Sequence, residues 1–112
     1  MNDEKNRVTY TKSKIINRVS KRAHLRPDTV RRVYDSLEKE LVDMLSEAAP
    51  DIDVSLRIFE GITLDGRYIP PHDKLNNLTG EMITTREKIK TKANVTRYYD
   101  DKVLRAAKSH ED

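Results

Sequence analysis

Between Pro27 and Leu45, apolar side chains return at helical spacing for about five turns. The stripe is Val30, Val33, Tyr34, Leu37, Leu41, Met44 and Leu45. A helix with such a face must bury it, yet the rest of the sequence offers little to bury it against. Of 112 residues, 36% are hydrophobic and 37% are charged, with five Tyr, one Phe and no Trp. A chain of this size is one domain, or one domain with appendages, and a monomer built from it has a thin core. A dimer that shares a core resolves the shortage.

A shorter helix precedes the long one. Thr11 is a fair N-cap for TKSKIINRVSKRA, whose Ile15, Ile16 and Val19 make an apolar stripe among Lys12, Lys14, Arg18, Lys21 and Arg22. Leu25 and Arg26 turn the chain, Pro27 suits a first helical position, and Asp28 sits at the positive end of the helix. Residues 12–46 therefore read as a helical hairpin. Ala48–Ala49–Pro50–Asp51 closes it.

From Ile52 the period changes to two. Val54, Leu56 and Ile58 alternate with Asp53, Ser55 and Arg57, as in a half-buried strand. Phe59 breaks the alternation and Gly61 follows, which predicts a bulge or tight turn. Ile62–Leu64 resumes a strand, Asp65–Gly66 reads as a turn or kink, and Pro70–Pro71 marks an edge or projecting segment. NNLTGE at 76–81 is a turn, with Gly80 available for a positive φ. Met82 to Thr96 reads as one long strand. A short helix from Asp100 or Asp101 through Ala107 ends the fold.

In that long strand Arg86, Lys88, Lys90 and Lys92 occupy alternate positions, so an extended chain puts all four cations on one face. The hairpin of about residues 64–95 is too polar to hold a core of its own. It must lie on something or bind something. The whole sequence has a net charge of only +3, but residues 1–34 carry ten Lys/Arg against three Asp/Glu, residues 35–65 two against nine, and residues 66–112 ten against seven. Such segregation points to one face for an anionic partner. Mutual neutralisation within the fold or across a dimer is the plainer account.

The chemistry that the sequence lacks narrows the function. There is no Cys, and His24, His72 and His110 are isolated, so no metal site is expected. No phosphate loop or hydrolase motif is present, and no enzyme is expected. No apolar run is long enough to cross a membrane and the first residues have no signal-like apolar core, which leads us to expect a soluble intracellular protein.

Four segments, in order, resemble the bacterial histone-like protein HU and its relative, integration host factor, over about residues 10–106. TKSKIINRV, with Leu25 eight residues after Asn17, resembles the family's first helix and turn. VSLRIFEGI (54–62) resembles its V-x-L-x-G-F-G-x-F segment, with Phe59 on the first Phe. NNLTGE resembles its arm-tip R-N-P-x-T-G-E. NVTRYYDDKVL (94–104) resembles its closing strand and last helix, with Tyr98 where the family has Phe.

The resemblance implies an α+β fold: an HU/IHF-like intertwined dimer with a helical-hairpin body, a small antiparallel sheet with a long β-ribbon arm, and a short C-terminal helix. Residues 1–9 would be a flexible segment, 10–107 a single domain with its arm at about 64–95, and 108–112 a flexible tail. The function implied is non-enzymatic, largely sequence-nonspecific binding of double-stranded DNA. It would include bending and compaction by a homodimer whose arms clasp the duplex. The DNA contacts expected are Arg67, Lys74, Asn76, Asn77, Leu78, Arg86, Lys88, Lys90 and Lys92, with Lys12 near flanking phosphates. The dimer core expected is Val33, Leu37, Leu41, Leu45, Phe59 and Tyr98. No cofactor, metal, small-molecule substrate or membrane partner is implied, and the location would be cytoplasmic and nucleoid-associated.

Departures from the pattern limit the transfer. Asn77 stands where the family has the Pro that wedges open base steps, with Leu78 beside it. Ile58 replaces a Gly, the 48–53 connection is longer, and the return strand is about five residues longer. The outgoing strand mixes Arg67 and Lys74 with Asp65 and Asp73. Sharp kinking is therefore not carried over. Two alternatives stand beside this reading. One is an interaction dimer with an HU-like body and weak or no DNA binding. The other is a helix-turn-helix reader using residues 27–34, with Thr29, Arg31 and Arg32 at the start of the second helix.

Overall fold

The computed structural model describes residues 6–110. The expected flexible ends, residues 1–9 and 108–112, lie partly outside that span. The element order is α1 (Lys12–Ala23), α2 (Pro27–Leu45), β1 (Val54–Phe59), β2 (Ile62–Ile69), β3 (His72–Leu75), β4 (Met82–Thr85), β5 (Lys88–Val95) and α3 (Arg97–Ser109). The chain divides into two compact units after Glu40, within α2.

In the first unit, α1 begins where the Thr11 side chain accepts from the Lys14 N–H at 3.4 Å. It ends at His24, which takes a left-handed conformation (φ 57°). There the His24 N–H bonds to the Ser20 carbonyl and the Ser20 hydroxyl donates to the Leu25 carbonyl, which closes the turn before Pro27. Ile16 is completely buried and Val30 nearly so. Lys12 Nζ reaches Asp35 Oδ1 at 2.6 Å, with the Tyr34 ring centroid 5.6 Å away. That bond holds the exposed Asp35 carboxyl below the usual carboxylate range. The pair contributes above the ordinary carboxylate pKa and is lost as pH falls through the lowered one.

The second unit is an antiparallel sheet, β1-β2-β5, a separate two-stranded β3-β4 hairpin, and α3. The expected irregularity near Phe59 is present: the β1–β2 register shifts between Arg57 and Phe59, and Phe59 then pairs with Ile62. Gly61 turns the chain at φ +91°, and a Cβ there would lie 2.7 Å from Thr96 Oγ1 and 2.9 Å from Tyr99 Cβ. Both the dihedral and the space demand glycine. Gly61→Ala is expected to lower stability by about 1–3 kcal/mol, read as a lower urea midpoint at unchanged slope.

Three sequence expectations are corrected. Asp65–Gly66 is no turn, because both residues sit inside β2. Gly66 is there for packing: a Cβ would lie 3.1 Å from Leu45 Cδ2 and 3.6 Å from Ile89 Cγ2. The long strand from Met82 to Thr96 is broken into β4 and β5 at Arg86–Glu87, opposite the break that Pro70–Pro71 makes between β2 and β3. Proline has no N–H for the ladder, so both strands lose pairing at one level. Helix α3 starts at Arg97 and runs to Ser109, past both ends of the expected 100–107 segment. The Thr96 N–H bonds to the Gly61 carbonyl at 2.8 Å, and the Tyr99 and Asp100 N–H groups turn back to the Thr96 carbonyl. Strand therefore gives way to helix within one residue.

Among the described residues, the buried hydrophobic side chains are only Ile16, Val30 and Ala48. Leu41 and Leu45 are half-buried, whereas Val33, Leu37, Phe59 and Tyr98 stand exposed, at 62% for Val33 and 61% for Phe59. No described helix is long and apolar enough to cross a membrane.

Candidate nucleic-acid interface

Residues paired across an antiparallel ladder share a face, so the register sorts the sheet's side chains. Ser55 pairs with Asp65 and Arg57 with Thr63. Those two β2 residues face Lys92 and Asn94, Arg67 faces Lys90, and Ile69 faces Lys88. One face thus collects Arg57, Arg67, Lys88, Lys90 and Lys92 with Ser55, Thr63 and Asn94. It holds no aromatic ring. The opposite face carries Leu56, Leu64, Gly66, Tyr68 and Ile89, and on this side Gly66 meets Leu45 of α2.

Two carboxylates lie close to the cations, Asp65 on the same face opposite Lys92, and each accepts a hydrogen bond from a neutral group. Asp65 Oδ2 accepts from Asn94 Nδ2 at 2.6 Å. Glu87 Oε2 accepts from the Tyr68 hydroxyl at 2.6 Å, on the other face. That bond raises the Tyr68 pKa above the ordinary phenol value, so its O–H stays a donor. Among the described residues the one salt bridge is Lys12–Asp35, so none of the five sheet cations is ion-paired. Arg67 directly opposite Lys90 is a like-charge pair, which costs stability unless an anion lies between them. Arg67, Lys90 and Lys92 line a cleft of about 460 Å³ with Asp53, Ser55 and Asp65.

The expected contacts sort unevenly over this geometry. Lys88, Lys90, Lys92 and Arg67 come together. Arg86 does not belong to the strand face, because it lies in the break between β4 and β5. Lys12 is engaged by Asp35 in the first unit. The remaining residues fall on the distal hairpin, where Lys74 pairs with Ile83 and Leu75 with Met82.

At its tip the Asn76 side chain accepts from the Leu78 N–H at 2.9 Å, and the Asn76 carbonyl accepts from the N–H of Gly80, at φ +75°, at 2.7 Å. The turn leaves Leu78 96% exposed. Residues 72–85 hold one Lys against Asp73 and Glu81, so the tip is an apolar point of slightly negative charge.

Arg57 is the functional candidate that reading the sequence missed. Its signal was available in the alternation that turns Asp53, Ser55 and Arg57 away from the apolar face of β1.

No family model matches the sequence, and no curated protein matches it. Among solved structures, the chain is similar to the Anabaena HU protein cocrystallised with DNA, with a TM-score of 0.61 and 12% identity. The likeness covers 83% of this chain and 96% of that one. The described chain therefore has an HU-like fold, and five of its cations share one face of the sheet.

Proposed function

We propose that the protein is a homodimer that binds double-stranded DNA with little sequence preference and bends it mildly, without catalysing a reaction. The observation that carries this reading is the unpaired cation face of Arg57, Arg67, Lys88, Lys90 and Lys92. Lys88 to Lys92 spans about 13 Å of strand. Duplex DNA presents one charge per about 1.7 Å of axis, so several phosphates fall within reach. A face without aromatic rings favours phosphate contacts over base stacking, hence duplex over single strands. The HU neighbour's cocrystallisation with DNA adds support.

The dimer reading rests on the exposed Val33 and Leu37 of α2, and on Phe59 and Tyr98, beside the small buried core. Tyr98 donates to Glu60 Oε2 at 2.9 Å, which leaves the apolar side of its ring to a partner. The mild-bending reading rests on the tip, where Asn77 offers no rigid wedge and Leu78 is the most exposed apolar side chain.

The test is a salt-dependent titration with random-sequence duplex and single-stranded DNA, the duplex carrying a donor–acceptor dye pair at its ends. Tight, salt-sensitive, duplex-preferring binding with a small rise in energy transfer is expected. No binding at low salt selects the interaction-dimer reading, and a large rise in transfer shows Leu78 acting as a full wedge.

A further inference from the structure

The segregated charge of the first unit is not neutralised by its own fold. Helix α1 contains five cations and no carboxylate, and only Lys12 has an ion-pair partner among the described residues. Lys14, Arg18, Lys21 and Arg22 fall within an arc of about 100° at 3.6 residues per turn. They lie roughly opposite the fully buried Ile16. All four are exposed. Lys21 and Arg22 suit the negative end of the helix, but Lys14 and Arg18 have no such reason to be there. Lys14, Arg18 and Arg22 are spaced i, i+4, i+8, and like charges at that spacing weaken a helix. The Tyr10 ring lies 5.3 Å from the Arg18 guanidinium, which helps to position that cation. Arg18, Lys21 and Arg22 rim a surface groove with His24 and Val19.

The geometry points to this face of α1 as a second DNA-binding surface, distinct in residues from the strand face, that captures a second duplex. Successive turns place the charges about 6 Å apart along the axis, a comb suited to a run of phosphates. A polyanion fits better than the α2 helix of a second copy, because the exposed acids there, Glu38, Glu40 and Asp43, are interspersed with Lys39. This inference rests on the DNA-binding reading of the strand face.

The experiment compares wild type with a variant carrying Lys14, Arg18, Lys21 and Arg22→Ala. Alanine favours helix, and a glutamine set serves as a second variant should the first fold poorly. One readout is the affinity for a labelled duplex in solution. The other is retention of that labelled duplex on beads bearing an unlabelled duplex of the same random sequence. The variant is expected to keep its solution affinity within about threefold while bead retention falls by roughly tenfold or more, since each phosphate left unneutralised forfeits its counterion release.

Unchanged retention overturns the inference. A fall in solution affinity as large as that from changing Arg67, Lys88, Lys90 and Lys92 to Ala also overturns it, because the two surfaces then share one duplex. If the variant instead loses a salt-sensitive self-association seen without DNA, the partner is a second copy and the inference fails. A wild type that binds one duplex in solution but retains none on beads refutes this inference alone, whereas a wild type that binds no duplex refutes the proposed function as well.

Discussion

Changing Arg67, Lys88, Lys90 and Lys92 to Ala is expected to abolish most duplex binding. Affinity at physiological salt should fall by about 100-fold or more, and the slope of log affinity against log salt should flatten by about one for each phosphate no longer neutralised. The four residues share a strand face, and the nearby carboxylates Asp65 and Glu87 are committed to Asn94 and Tyr68. Asp65, directly opposite Lys92, offsets part of their charge, but among the described residues none of the four is ion-paired. Removing the Arg67–Lys90 apposition relieves a repulsion, so folding should be unharmed, which circular dichroism checks. Arg86→Ala alone should have a small effect, because Arg86 sits in the break rather than on the strand. An unchanged salt slope for the quadruple variant would move the site elsewhere, first to Arg31 and Arg32.

Leu37→Asp is expected to be the most damaging single change to folding. Leu37 lies mid-stripe on α2 and is half exposed in the single chain, as are Phe59 and Tyr98 in the second unit. If a second copy covers that stripe, each dimer would bury two unpaired carboxylates, at a cost of several kcal/mol. If folding of so small a core depends on the second copy, dissociation and unfolding should coincide. Wild type should sediment at twice its 13.0 kDa chain mass and unfold at a midpoint that rises with concentration. The variant should lose the cooperative transition, while Glu38→Ala, on the polar side of the helix, should not. A concentration-independent 13.0 kDa species with full cooperativity would refute the dimer.

Local sequence rules located the helices well where their signals are local. Thr11 and Pro27 set the starts of α1 and α2 as expected, because capping and a fixed φ act within one turn. The bulge before Gly61 was legible for the same reason. Three features were not. Gly66 looks like a turn residue, but it is chosen by contact with Leu45, 21 positions earlier in the chain. The interruption at Arg86–Glu87 carries no breaker of its own, since its cause is Pro70–Pro71 on the facing strand. Arg97 to Tyr99 continue a strand-like texture, but helix begins there, next to the long-range bond from the Thr96 N–H to the Gly61 carbonyl.

The candidate site divides in the same way. Alternation by itself put Lys88, Lys90 and Lys92 on one side of a strand, because a period of two is a property of extended backbone. It could not add Arg57 and Arg67, remove Arg86, or show that Asp65 and Glu87 are held by Asn94 and Tyr68. Those facts depend on which strand lies beside which and in what register, and register is set by pairing between residues far apart in the chain. The sequence alone determined that the chain carries an uncovered apolar stripe and a polar hairpin rich in cations. The tertiary structure decided which cations meet and which carboxylates lie beside them, because charge acts through distances in space that only the folded backbone fixes.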